Sequence, residues 1–87
     1  MNFMSCSKDD GLSGTVWSGR QGNIMLTINF TSNSTFIAAY SNGMSVTGTY
    51  TYNGSIVIMT GNGYAEHGTI SGNIMTIDGG SIILTKQ

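Results

Sequence analysis

Apolar and polar residues alternate along most of this chain. From Ile24 to Phe30 every second residue, Ile24, Leu26, Ile28 and Phe30, is apolar, with Met25, Thr27 and Asn29 between them. Phe36, Ala38 and Tyr40 continue the pattern, as do Val46, Tyr50 and Tyr52, then Val57 and Met59, then Met75 and Ile77. A period of two is the mark of a strand with one face buried. No window keeps apolar residues at helical spacing for long without meeting a glycine, so no helix of consequence is expected. The pattern predicts strands near 12–18, 23–31, 34–40, 44–52, 55–61, 64–71, 74–78 and 81–86.

Short turn sequences separate these segments and fix which residues face one another. Directly opposed residues of a hairpin share a face, so a correct loop length must oppose apolar to apolar. Asn53-Gly54 as a two-residue turn opposes Tyr50 to Val57, and Asn62-Gly63 opposes Met59 to Glu66 and Val57 to Gly68. Gly72-Asn73 opposes Ile70 to Met75, and Gly79-Gly80 opposes Ile77 to Ile82 and Met75 to Leu84. A three-residue loop over Ser41-Asn42-Gly43 opposes Ala38 to Val46 and Phe36 to Gly48. A four-residue loop from Gly19 to Gly22 opposes Trp17 to Ile24 and Thr15 to Leu26. All of these loops agree on one inward face.

Eight strands joined only by hairpins leave two sheet edges, and pairing the first strand with the last removes both. The expectation is an all-β fold, a small eight-stranded antiparallel up-and-down (meander) barrel over residues 12–87, with residues 1–11 as a tether. An open sandwich of the same strands is the alternative. A membrane-spanning barrel would present an apolar band outward. Here the expected outward set includes Thr27, Asn29, Ser45, Thr47, Thr49, Thr51, His67 and Thr69, which favours water.

Composition sharpens this picture. Ser, Thr, Asn and Gly make up 43 of the 87 residues, a bias that suggests a linker until the strict alternation is noticed. The formal net charge is −1 with three basic residues in all, so the phosphate-neutralising term of nucleic-acid binding is nearly absent. The single Cys excludes an internal disulfide, and no His or Cys cluster has metal-ligand spacing. No cofactor and no metal are expected.

The first ten residues, MNFMSCSKDD, differ in character from the rest of the chain. Ser5-Cys6 resembles the lipid-modification site of a bacterial lipoprotein, and Ser7, Lys8, Asp9 and Asp10 resemble the acidic export signal of surface lipoproteins of the Bacteroidota. Residues 1–5 lack the basic and apolar regions of a signal peptide, so the lipoprotein reading expects one upstream of Met1. Its localisation is then outer membrane or cell surface, held through a lipid on Cys6. An incidental Cys in a cytoplasmic N-terminus is the alternative.

The stretches GTVWSG (14–19), GTYTYNGS (48–55), GTISGNIMTI (68–77) and ILTKQ (83–87) together resemble the short lipocalin-like β-barrel lipoproteins of the Bacteroidota. The resemblance covers nearly the whole chain. It departs from lipocalins proper in the spacing of Gly14 and Trp17 and in being much shorter. It implies a lipid-anchored, lipocalin-like barrel, and speaks to the fold more than to the activity.

With the termini at the bottom, Arg20, Tyr40, Tyr64, Glu66 and Asp78 map to the top and form the candidate rim for a ligand or partner. Register sends the Glu66 carboxylate inward, where a lone charge is costly without a partner; Arg20 could supply one, a solvated carboxylate closing the barrel end is the other structural reading, and contact with a ligand or partner is the functional one. Glu66 and His67 are neighbours on one strand and face opposite ways, so they cannot act as an acid–base pair. Trp17, Tyr40, Tyr50, Tyr52 and Tyr64 form an inward aromatic set suited to core packing or, near the rim, to a stacked ligand. Ile37, Ile56, Ile58, Ile74 and Ile83 fall outward. The sequence therefore predicts a non-enzymatic envelope barrel that binds a small ligand or an envelope protein through its upper loops. Two alternatives stand beside it: an inhibitor-like barrel acting on a secreted hydrolase, and an accessory subunit or homodimer associating through the isoleucines.

Overall fold

The computed structural model describes residues 11–87; Cys6 and the Ser7–Asp10 segment lie outside the described residues. Eight strands succeed one another: β1 (Val16–Gln21), β2 (Ile24–Phe30), β3 (Thr35–Tyr40), β4 (Ser45–Tyr52), β5 (Ile56–Gly61), β6 (Tyr64–Ser71), β7 (Ile74–Ile77) and β8 (Ile82–Lys86). Each pairs antiparallel with the next, and β1 pairs with β8, which closes the meander into a barrel. Among the described residues the fold is all-β apart from a single 3₁₀ turn at Asp78–Gly80. Closure leaves no free sheet edge, so every strand finds its backbone partners on both sides.

Inward parity is as the alternation requires. Met59 opposes Glu66 and Val57 opposes Gly68 across a two-residue Asn62-Gly63 turn with φ of 53° and 78°, the left-handed pair that a tight hairpin needs. Ile70 opposes Met75, Ile77 opposes Ile82, and Ala38 opposes Val46, all in the expected register. Two hairpins differ. Tyr50 opposes Met59 rather than Val57, because the Asn53 side chain caps the turn: its Oδ1 accepts from the N–H groups of Ser55 and Ile56 at 3.1 and 2.9 Å. That moves the turn centre one residue onward and the register by two, which preserves the face. Between β1 and β2 the shift is four residues. Trp17 opposes Ile28 and Gly19 opposes Leu26, with Gly22-Asn23 as the turn. Gly19 is thus a strand residue, not the start of a loop.

Inward side chains divide the barrel into unequal halves. Trp17, Phe30, Tyr50, Val57, Met75 and Leu84 fill the lower half and are all buried, with the Phe30 and Tyr50 rings edge-to-face at 4.7 Å between centroids. Residues 12–15, expected as the start of the first strand, instead fold under it. Gly14 N–H donates to Phe30 O and Thr15 N–H to Leu12 O, while Thr15 Oγ1 donates to Leu12 O and accepts from Trp17 Nε1. The turn places Leu12 across the bottom, 2% exposed. A strand there would leave the lower end of the barrel open to water, and burying one leucine removes that apolar surface.

The lower end is also pinned by Tyr50, whose hydroxyl donates to Ser32 O at 2.7 Å. Tyr50→Phe leaves that carbonyl without this donor. The expected cost is about 1 kcal/mol, read as a fall in Tm of roughly 4–8 °C in a thermal melt followed by circular dichroism.

The outward faces carry Thr27, Thr47, Thr49, Thr51, His67 and Thr69, half-buried or exposed. Strands of four to eight residues fall short of the about 9–11 that a bilayer-spanning strand requires.

Candidate functional site

The upper end of the barrel opens into a cup. A cavity of about 470 Å³ opens there, floored by Leu26, Ile28, Phe36, Ala38, Met59, Ile77 and Ile82. Its hollowness comes from side-chain size: the wall positions Ala38, Val46 and Gly61 stand where the lower half has Trp17, Phe30 and Tyr50. This volume lies in the ordinary range of small-molecule pockets.

The upper connections form the mouth: Gly22-Asn23, residues 41–44, Asn62-Gly63 and residues 78–81. All are two to four residues long, and none forms a protruding loop. Their residues supply Asn42, Met44, Asn62 and Asp78 to the lining, and the strand ends supply Gln21, Ile24, Tyr40, Tyr64 and Glu66. Asn42 holds its own loop, with Oδ1 accepting from Met44 N–H at 3.0 Å. Asp78 sits at φ 58° and its carbonyl accepts from Ser81 N–H, a left-handed position that Asp and Asn tolerate better than most residues. Tyr64 is 73% exposed, so its ring stands at the lip rather than in the core.

Four of the five expected rim residues, Tyr40, Tyr64, Glu66 and Asp78, converge on the cup. Arg20 does not. Because β1 runs on to Gln21, Arg20 takes the outward parity, exposed between Met25 of β2 and Ile83 of β8. Arg20 therefore does not pair with Glu66, and of the two structural readings the exposed carboxylate at the barrel end is the one found among the described residues. It avoids the cost of a buried lone charge by lying at the exposed mouth, not in the interior. Gln21, Asn42 and Asn62 were not among the expected rim residues. The signal for Gln21 was present in Gly22-Asn23, a two-residue hairpin dipeptide that keeps the same inward parity as the longer loop. Of the inward aromatic set, Trp17 and Tyr50 are core, Tyr52 packs half-buried against it, and Tyr40 and Tyr64 belong to the cup.

The lining contains no Ser, Thr, Cys, His or Lys among the described residues. His67 pairs with Ile58 on the outer face, one residue out of phase with Glu66. The cup therefore offers carboxylates, amides and phenols over an apolar floor, and among the described residues it holds neither a Ser, Thr, Cys or Lys nucleophile nor a His base. Among the described residues no group of three His, Cys, Asp or Glu side chains gathers to hold a metal.

The five outward isoleucines are exposed but do not form one face. In one row of the sheet Ile56 and Ile83 are separated by Thr69 and Thr76. Ile58 continues from Ile56 along β5, Ile74 lies diagonal to Ile83, and Ile37 stands on β3 between Asn29 and Thr47. Isolated apolar residues of this kind are normal on a protein surface.

Comparisons of the chain with known families, curated proteins and solved structures find no match.

Proposed function

We propose that this protein is a non-catalytic binding barrel that takes a small, partly apolar ligand into its upper cup, and that a lipid on Cys6 tethers it to the cell envelope. The observation that carries the binding reading is the unequal filling of the barrel: a sealed lower half beneath an open cavity of about 470 Å³ with apolar floor and polar lip. A barrel selected only for stability has every reason to fill its interior, since each unfilled volume forgoes dispersion contacts. The described lining holds no Ser, Thr, Cys or Lys nucleophile and no His base, which favours binding over the acyl-transfer chemistry those groups carry. Support for the tether is positional. Leu12 enters at the closed end, so a chain anchored from that side would present the cup away from the membrane.

Filling the cup tests the reading. Ala38 is buried and lines the cavity, and Ala38→Leu projects an isobutyl group into existing space rather than into packed atoms. Stability should hold or rise slightly, while affinity for phenylnaphthylamine, a neutral apolar fluorophore, should fall about tenfold or more, the equivalent of about 1.4 kcal/mol. A titration in which both proteins bind the dye equally, or neither binds it, would refute the assignment.

A further inference from the structure

We propose that the cup selects a ligand whose apolar body carries a cationic head, a small amphipathic amine, over neutral or anionic molecules of the same shape. The inference rests on the cup being a binding site and concerns what it prefers. Its basis is the distribution of charge in the barrel. Among the described residues the acidic side chains are Glu66 and Asp78, and both line the cavity. The basic ones are Arg20 and Lys86, and neither does. Arg20 is turned outward on β1, and Lys86 lies beside Trp17 at the closed end. The two carboxylates thus share a concave mouth with no counter-charge of its own, set above an apolar floor of low polarisability.

Such an arrangement favours cations through three additive effects. A concave, partly desolvated mouth focuses the field of the carboxylates more strongly than a flat surface would. Tyr40 and Tyr64 offer ring faces and phenolic oxygens at the same lip, and an ammonium group is attracted to both. The side-chain carbonyls of Gln21 and Asn62, also in the lining, supply further acceptors for N–H donors. An anionic head is repelled by the carboxylates and by the ring faces, and it gains only the amide N–H and phenol O–H donors of the same side chains. A neutral hydroxyl head can use the acceptors but gains nothing from the field. The apolar body is held alike in all three cases, because the floor makes no distinction among them.

Octylammonium, octanol and octanoate share one tail and differ in the head, so their binding to the full chain can be compared by titration calorimetry at low ionic strength. Octylammonium should bind about tenfold or more tighter than octanoate, with octanol between, and the ratio should shrink in high salt as the carboxylates are screened. In the double variant Glu66→Gln with Asp78→Asn, the three ligands should come within about twofold of one another. Both changes are isosteric, exposed and compatible with the local backbone, and a thermal melt checks that the fold is kept. Equal binding of all three ligands to the unaltered protein would overturn the charge preference and leave the cup standing as a site. A preference for octylammonium that persists in the double variant would overturn the role of these carboxylates. Failure of every ligand to bind would remove the site itself.

Discussion

Gly48→Ala should destabilise the barrel by about 3 kcal/mol or more, the upper end of what overpacking costs. In a domain this small that lowers Tm by roughly 12 °C or more. Gly48 is not a turn residue: it lies within β4, opposite Phe36, with β5 on its other side. A Cβ built there would sit 2.0 Å from the backbone oxygen of Thr60 and 2.9 Å from the ring of Phe36. The first of these is the decisive one, because a carbonyl held in a strand cannot rotate aside as a flexible side chain can. Either the neighbouring strands part, at the cost of their hydrogen bonds, or the ring of Phe36 and the strand shift together. Gly19 shows the same geometry against Ile83 O at 2.0 Å, so the barrel has two points of close strand approach where only glycine fits. Gly19→Ala should behave alike. The informative control is Gly14→Ala, at φ 83° with nothing within 4 Å of the added Cβ. There the cost is backbone strain alone, about 1–2 kcal/mol. Urea unfolding of the three variants should rank Gly14→Ala as mildest; a Gly48→Ala protein as stable as the control would mean that the close approach does not exist.

These two glycines also explain which parts of the architecture could be read from residue order and which could not. Parity is robust because a loop must oppose apolar to apolar, and the loops that satisfy this differ in register by steps of two. Shifting the β4–β5 register by two and the β1–β2 register by four left Trp17, Ile28, Tyr50 and Met59 on the same buried face. The exact register is not robust. A glycine reads as a turn whether it supplies a positive φ, as Gly22 does at 63°, or makes room for a carbonyl, as Gly19 does. Local sequence cannot separate the two, since the second need arises only when a distant strand arrives. The consequence fell on function: extending β1 as far as Gln21 put that residue at the mouth in place of Arg20 and removed the cation that could have partnered Glu66. Leu12 was hidden for a related reason. Its apolar character and parity fit a strand, and only the turn held by Thr15 and Phe30 carries it beneath the barrel.

The cup at the upper end was, by contrast, legible in side-chain volume once the faces were known. Moving up the inward positions of β3 and β5, Phe36 gives way to Ala38, and Met59 gives way to Gly61. Moving down β4, Val46 gives way to Tyr50 and Tyr52. A taper of this kind puts large rings at one end and space at the other. Parity alone says which residues face inward, and volume says whether they meet. The candidate site is where they do not.

Trp17→Ala should be the most damaging single truncation, with an expected loss of about 3–5 kcal/mol. That is comparable with the whole stability of many small domains, so the variant should be largely unfolded at about 37 °C. Trp17 is 2% exposed in the filled half, opposite Ile28 on one side and Lys86 on the other. Its indole N–H donates to Thr15 Oγ1, which in turn donates to Leu12 O. Removing the ring therefore opens a cavity and also loosens the turn that seats Leu12, and because the two losses share atoms they should not add as independent terms. Trp17→Phe separates them. It keeps much of the ring volume and loses the hydrogen bond, so it should cost about 1–2 kcal/mol. Pairing each variant with Leu12→Ala in a double-mutant cycle by urea unfolding should give a coupling of about 0.5 kcal/mol or more for Trp17→Ala. Additive losses would show that Leu12 is seated independently of Trp17. Because Trp17 is the only tryptophan, the unaltered protein supplies its own probe for the cup. Ligands that enter the upper cavity, whose lining does not include Trp17, should raise the unfolding midpoint by mass action while leaving the native indole emission maximum in place; a shift of that maximum on binding would place the ligand in the lower half.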